Sequence, residues 1–368
     1  MLPFSRPRYG LSITANTLCW VEVSSGIRKS GIHRIEEHPL PSGLIHPSPL
    51  APNVAKVDEL AKIFKTSLPQ RKHPCSIAVS LPDLCARTLV FELAQLPASS
   101  RERDALLRWK FKQDCHLHAD QIRVTSQRYT PSRVPAPHTH QAHQPVHLLA
   151  TALSHAVVEP YEQACLAAGL IPMTVGIASF LVFDFCRPVM IQAMATLKQD
   201  HTRGYHLVFF YVADWGCTTV IIHDNVPVFV RIKPLRPVPL SCSSSTGSPS
   251  PAISANSLDP EESNKYIARL TNELIATLQY YFELHQSLDQ FIHPLPLFLA
   301  GSLDPATIFP QVKQRVETAF TDESRNAPRI QAIPLQAGLP YLSGKIGADP
   351  TCWTGTTLAA LASTRITP

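Results

Sequence analysis

The sequence predicts an α/β fold in two lobes, and three observations carry that prediction. Alternating and helical apolar patterns follow one another along most of the chain, as expected of sheets covered by crossover helices. A hairpin followed by a helix occurs twice, in residues 9–70 and in residues 205–285. The 368 residues suffice for two domains or for one large two-lobed fold. Duplication of this kind builds a clamp with a ligand cleft between equivalent hairpins.

The first unit opens on YGLSITANTLCWVEV, Tyr9 to Val23, two strands around an ITANT turn. A third strand is expected near GIHRIEEHPL. In VAKVDELAKIFKTSL the residues Val54, Val57, Leu60, Ile63, Phe64 and Leu68 recur at helical spacing. CSIAVSLPD and ARTLVFELAQLP read as strands, with SLPD (Ser80 to Asp83) a strand end turning at proline. SSRERDALLRWKFKQD reads as a helix with Ser100 as N-cap and Leu106, Leu107, Trp109 and Phe111 as packing residues. QIRVTSQRY and HLLATALS pair as strands across a proline- and histidine-rich loop, and HAVVEPYEQACLAAGL makes a helix ended by Gly169.

The second unit, YHLVFFYVADWGCTTVIIHDNVPVFVRIKPL, is again strand, turn, strand, with a further strand after Asp224-Asn225. The Ser/Pro-rich stretch at about 236–262 is expected to be disordered. NKYIARLTNELIATLQYYFELH carries the clearest helical face, with Ile267, Leu270, Leu274, Leu278, Tyr281 and Phe282. PLFLAGSLDP is a strand running into a turn, and WTGTTLAALAS is a small-residue helix near the C-terminus.

Composition narrows the function. Apolar content of 45% and charge of 17% read as globular, and 34 prolines against 14 glycines predict many stiff loops. The net charge of +5 is small, and the densest basic group (Arg101, Arg103, Arg108, Lys110, Lys112) is not interleaved with aromatics. Nucleic acid is therefore not expected as a partner; at most this group suits an anionic surface. Nine single cysteines without a CxxC read as reduced thiols, with no zinc site. The N-terminus lacks the apolar run of a signal peptide. The most apolar stretch, Gly169 to Phe183, falls about a quarter short of the roughly 20 residues a span needs, so no transmembrane helix is expected.

Four stretches taken in order carry a resemblance: LSITANTLCWVEV; SIAVSLPDLCARTLVFELAQLP with the later LLRWK; ADWGCTTVIIHDNVPVFVR; and LTNELIATLQYY followed by LFLAGSL. This order resembles the actin-like ATPases. More narrowly it resembles the PilM-like cytoplasmic proteins of type IV pilus assembly and the related cytoplasmic domain of GspL. The resemblance implies an actin-like (ribonuclease H-like) two-lobed α/β fold with an extra small α/β subdomain in the first lobe. The expected boundaries are 1–200 for the first lobe with the subdomain at about 76–160, 201–348 for the second, and 349–368 for a C-terminal helix returning to the first.

In such families the first hairpin reads I-D-I-G-S-x-x-x-K, where the carboxylate organises Mg²⁺ or water, the glycine admits a phosphate and the lysine neutralises it. The matching places here hold Ser12, Thr14 and Cys19, leaving Thr14, Asn16 and Thr17 as neutral donors. The second hairpin is better kept. Asp214, Gly216, Thr218 and Thr219 resemble D-x-G-x-x-T-T, which implies a metal-bound water at Asp214 and phosphate contacts at Gly216 and Thr218. The competing reading is a tight turn whose aspartate caps its own backbone. The family's adenosine turn survives only as Ala300-Gly301-Ser302. Losing two or three charge-assisted hydrogen bonds at roughly 1.5–3 kcal/mol each removes about 3–9 kcal/mol. A micromolar ligand has only about 8. A degenerate cleft is therefore expected, with no cofactor required, and hydrolysis suffers further.

Other constellations are weaker. His138, His140, His143 and His147 could wrap a transition metal, but nothing rigid fixes them, and a solvated loop is the simpler reading. No G-x-S-x-G, H-E-x-x-H or Walker A motif occurs. Glu273 is expected on the solvated flank of its helix; Trp109 and Phe111 read as core anchors or, alternatively, as an apolar groove rimmed by Arg108 and Lys110, with core the simpler reading for either one alone.

The resemblance therefore implies a non-catalytic scaffold, cytoplasmic and peripheral to the bacterial inner membrane. It would bind the N-terminal segment of a PilN-like bitopic protein in a groove between lobe core and subdomain. Contact with the assembly ATPase and self-association are also implied. Candidate groove residues are Arg87, Leu89, Phe91, Trp109 and Lys110. The alternatives are an actin-like ATPase or sugar-kinase-like phosphotransferase using Asp214, and a GspL-like secretion component.

Overall fold

The computed structural model describes residues 7–25, 30–67, 74–131, 145–197, 205–235, 260–284, 294–301, 308–321, 328–335, 359–362 and 364. Ser302, the histidines at 138, 140 and 143, and nearly all of the Ser/Pro-rich stretch lie outside the described residues.

In chain order the first lobe begins with β1 (Tyr9–Ile13), β2 (Thr17–Ser25), β3 (Ser30–Pro39), α1 (Val57–Ser67) and β4 (Cys75–Leu81). A smaller unit follows: β5 (Ala86–Leu93), α2 (Ser100–Cys115), β6 (Ile122–Tyr129) and β7 (Val146–Ser154). The chain returns through α3 (His155–Ala167), β8 (Leu170–Ile177) and the long α4 (Ala178–Thr196). The second lobe holds β9 (Leu207–Ala213), β10 (Gly216–His223), β11 (Val226–Pro234), α5 (Pro260–Leu284), β12 (Leu295–Gly301), α6 (Ile308–Ala319) and β13 (Ile330–Pro334).

The two large sheets repeat one topology. Their strand orders are β3-β2-β1-β4-β8 and β11-β10-β9-β12-β13. In each, the first three strands are antiparallel and the next two join in parallel. Even the irregularity recurs, with a register shift at Glu22/Val23 in one outer pair and at Ile221/Ile222 in the other. A third sheet, β5-β7-β6, belongs to the small subdomain. This is the two-lobed actin-like arrangement with an added subdomain.

The patterns explain the elements. β9 and β12 are buried at every residue, which is why LVFFYVA and LPLFLAG are continuous apolar runs rather than alternating ones. On α5 all six residues of the expected face are buried against the second sheet. In the subdomain Phe111 is fully buried and meets Phe91 edge-on at 5.9 Å, whereas Trp109 is 52% exposed and is not a core residue. Trp109 leaves the core because its helical phase sets it opposite Phe111, whose neighbour Leu107 completes the buried stripe. The N-cap of α2 is Ser99, one residue before the expected Ser100.

Residues 170–196, which the sequence shows only as an apolar stretch, become β8 and α4. Among the described residues α4 is the one helix long and apolar enough to cross a membrane. In this fold it joins the lobes: Val182, Phe183, Phe185, Met190 and Met194 pack in one cluster with Cys19 and Val21 of β2, Phe209 and Tyr211 of β9, and Ala359 to Ala362. Each such side chain stabilises by about 1.5–3 kcal/mol when fully buried.

The N-terminus of α4 poses a problem that the tertiary fold solves. Its N-cap residue is Ile177, which has no side-chain acceptor for the free N–H groups of the first turn. Asp83, in a 3-10 turn after β4, supplies one from outside the helix. Its Oδ1 accepts the Ser179 N–H at 3.0 Å, and its Oδ2 accepts the Thr218 hydroxyl of β10 at 2.5 Å. Asp83, Ser179 and Thr218 are all sealed from solvent. Burial raises the Asp83 pKa, opposed by the hydrogen bonds from Ser179, Thr218 and the Ala178 backbone.

Replacing Asp83 with alanine strands a helix N–H and a buried hydroxyl. Asp83→Ala is expected to cost about 2–4 kcal/mol in denaturant unfolding, whereas Asp83→Asn, which keeps an acceptor and sheds the buried charge, stays within about 1 kcal/mol of the parent.

Candidate functional site

Two places in the fold have site character: the cleft where the two hairpin turns meet, and a groove beside the small subdomain.

At the cleft, the β1–β2 turn is closed on itself. The Thr14 N–H donates to Thr17 O at 2.9 Å, and the Thr14 hydroxyl accepts the Asn16 and Thr17 N–H groups at 3.3 and 3.0 Å. Its donors are therefore largely spent on the turn, with Thr14 buried and Asn16 facing solvent. Of the other two replaced positions, Ser12 is buried within β1 and Cys19 lies in the interlobe core.

The opposing β9–β10 turn is a two-residue connection, Asp214-Trp215, between Ala213 and Gly216. Both Asp214 carboxylate oxygens are inaccessible, and among the described residues neither completes a hydrogen bond. Burial pushes its pKa up. The Thr14 hydroxyl and the Trp215 N–H approach closely enough to oppose the rise but not to satisfy the group. The fold thus brings Thr14 and Asp214 together across the cleft. Tyr211 joins them, its phenol held protonated by burial and by the carboxyls of both Asp83 and Asp214.

The family's glycines have a different explanation here. A Cβ on Gly216 would sit 2.1 Å from the Lys233 carbonyl oxygen, and one on Gly301 would sit 1.9 Å from that of Val212. Their φ values of 147° and 102° also suit glycine. Both glycines are required by neighbouring strands, so their presence needs no phosphate. Thr218 points to Asp83 between the lobes, and Thr219, next along β10, is buried on the opposite face. An orphaned buried carboxylate is what a metal or its water would use. Among the described residues no cation faces it in the first turn, whose Thr14, Asn16 and Thr17 N–H groups are bonded within the turn. Among the described residues, Thr14 and Asp214 meet across the cleft, while Thr218 is directed to Asp83 and Thr219 to the opposite face.

Glu273 departs from its expected solvated position. It bonds Arg231 at 2.6 Å and lies 3.6 Å from Lys233, both on β11, because the β10–β11 hairpin lies under α5. Tyr281 is core, and Tyr280 is half exposed beside Phe229.

The groove, of about 540 Å³, runs between subdomain and first lobe. β6 and β7 present one face of the three-stranded sheet to it, and β8, which ends the first five-stranded sheet, forms the opposite wall with the start of α4. Leu149, Leu153, Val175, Phe180 and Phe183 give it an apolar lining. Arg123 of β6 and Glu162 of α3 bridge it in a two-bond ion pair at 2.5 and 3.1 Å. Tyr129 and Asp184 also line it, and burial beside Asp184 pushes the Tyr129 pKa up to about 12. Met173 stands at its rim, 47% exposed.

The sequence-derived groove residues fall elsewhere. Phe91 is buried in the subdomain core, and the half-buried Leu89 packs against that core; neither lines the groove. The β5 edge lies against β11 of the second lobe. Arg87 is exposed on that strand, and Lys110 stacks over Trp109 at 5.5 Å on α2; neither residue lines the groove. Sequence reading missed β8 and α4 as groove walls, and missed Asp83. The signal available was the apolar run after Gly169, which fits a buried strand followed by a buried helix.

Because the folded chain holds the Asp214 proton more tightly than the unfolded chain does, its favourable contribution is complete below the ordinary aspartate pKa. It is lost as pH rises through the raised value. Asp214→Asn is accordingly expected to melt higher than the parent at pH 7, with the difference closing by about pH 4, in paired thermal melts.

No family model and no curated protein matches this chain. Among solved structures, a chain of the PilM–PilN type IV pilus biogenesis complex aligns over 98% of this chain and 98% of its own, at 16% identity and a TM-score of 0.66. The cytoplasmic domain of EpsL, an inner membrane component of the type II secretion system of Vibrio cholerae, aligns over 61% of this chain and 70% of its own, at 9% identity and a TM-score of 0.35. A Bacteroides thetaiotaomicron protein with actin-like ATPase fold and unknown function aligns over 90% and 94%, at 9% identity and a TM-score of 0.43. The alignment at TM-score 0.66 agrees with the repeated sheet topology: this chain has the actin-like α/β fold and is similar in structure to a chain of the PilM–PilN type IV pilus biogenesis complex.

Proposed function

We propose that this protein is a docking scaffold of a type IV pilus or related secretion platform, and that the groove between β6 and β8 captures the cytoplasmic N-terminal segment of a PilN-like inner-membrane protein. The observation that carries the reading is an apolar groove walled on one side by a face of the β6–β7 pair and on the other by the edge strand β8. An edge strand offers unpaired N–H and C=O groups to an extended peptide, and the pockets beside it take alternate side chains. A volume of about 540 Å³ suits a few side chains rather than a folded domain. Full-length likeness to a chain from a PilM–PilN complex supports the choice of partner. On this reading the protein works at the cytoplasmic face of the inner membrane through its partner, without turnover, and any contact with an assembly ATPase uses another surface.

The test uses fluorescein-labelled N-terminal peptides from single-span proteins encoded beside this chain, read by anisotropy. Binding to the parent is expected, and Met173→Arg is expected to weaken it at least tenfold, about 1.4 kcal/mol. Trp109→Ala should leave it unchanged. A loss with Trp109→Ala alone would move the docking site to α2 and overturn the assignment.

One observation favours a second reading, an ATPase or phosphotransferase: the unsatisfied buried carboxyl of Asp214. It predicts that millimolar ATP·Mg²⁺ raises the melting temperature of the parent and not of Asp214→Asn. The scaffold reading expects no shift in either protein by thermal-shift titration.

A further inference from the structure

The interlobe hydrogen bond and the groove share one structural element. Asp83 binds the second residue of α4 and, through its other oxygen, Thr218 of the second lobe. The next turn of the same helix, at Phe180, Leu181, Phe183 and Asp184, forms a groove wall, and the strand leading into it, Gly176 and Ile177, forms more of that wall. Leu181 lies over the bare backbone of Gly176, where a Cβ would come within 3.1 Å of its side-chain carbons. Nothing soft separates the latch from the wall. Ser179 and Phe180 are consecutive helical residues, and a buried first turn cannot shift at one end only.

We infer that Asp83 and Thr218 form a latch holding the two lobes together without a ligand between them, and that α4 transmits the state of this latch to the groove. In a nucleotide-binding clamp the bound ligand would span the lobes; here a side-chain carboxylate of the first lobe reaches the second directly. The coupling rests on the groove being the docking site, as proposed above. By linkage, whatever fills the groove then biases lobe closure as much as closure biases filling.

Thr218→Val separates the parts. It removes the bond between lobes while leaving the Asp83–Ser179 bond that caps α4. Hydrogen exchange measured on the intact chain by mass spectrometry reads the result without any partner, so a failure of peptide binding and a failure of the latch are told apart. The expected outcome is about tenfold faster exchange in the first two turns of α4 and in the β9–β10 hairpin, the scale of one lost buried hydrogen bond. Thr218→Ser, which keeps the hydroxyl, should restore the parent pattern. Ile221→Val, a core change on the far face of the second sheet, should loosen the second lobe and not α4. Faster exchange confined to the hairpin, or the same pattern from Ile221→Val, would overturn the coupling. If Thr218→Val does not fold, Thr218→Ala is read in its place, with faster exchange at the same amides supporting the latch and none overturning it.

Discussion

A carboxylate sealed from water stands at the junction of this molecule. Asp83 is reached by a helix N–H from one side and a hydroxyl of the other lobe from the opposite side. Burying a charge is costly, as its raised pKa records, and such a group persists where its hydrogen bonds satisfy several elements at once. Here those elements are β4, α4 and β10. Without an acceptor at this point, α4 would begin on Ile177 with its N–H groups unmet, and the helix that fills the interlobe core would lose its anchor.

Around that junction the two lobes are copies in topology that have diverged in chemistry. The first turn retains shape and has exchanged charge for a closed ring of threonine and backbone hydrogen bonds. The second turn keeps a buried aspartate whose carboxylate completes no hydrogen bond among the described residues. The glycines that persist do so because strands β11 and β9 press against them, a constraint independent of any ligand. A fold can therefore preserve the outline of a phosphate site for reasons of packing alone.

The groove follows from the way the subdomain is attached. Inserting β5, α2, β6 and β7 between β4 and α3 places a face of a second sheet next to the edge left at β8. Isolated edges invite uncontrolled pairing, and proteins usually cover them. Here the Arg123–Glu162 pair ties β6 to α3 beside the β8 edge, and the exposed Met173 of β8 stands at the rim.

Local periodicity was enough to predict α1, α5, both hairpins and the duplicated plan, because each of those elements buries one face or alternates in a way that leaves a repeat in the sequence. The absence of carboxylate, glycine and lysine from the first turn was equally legible, since it is a matter of residue identity. The tertiary structure decided the rest. α4 packs between two sheets and so shows no single apolar stripe. The burial of Phe91, the exposure of Trp109 and the pairing of Glu273 depend on neighbours that composition does not name. Asp83 meets partners 96 and 135 residues away, and only the folded chain brings carboxylate, helix end and hydroxyl within hydrogen-bond reach.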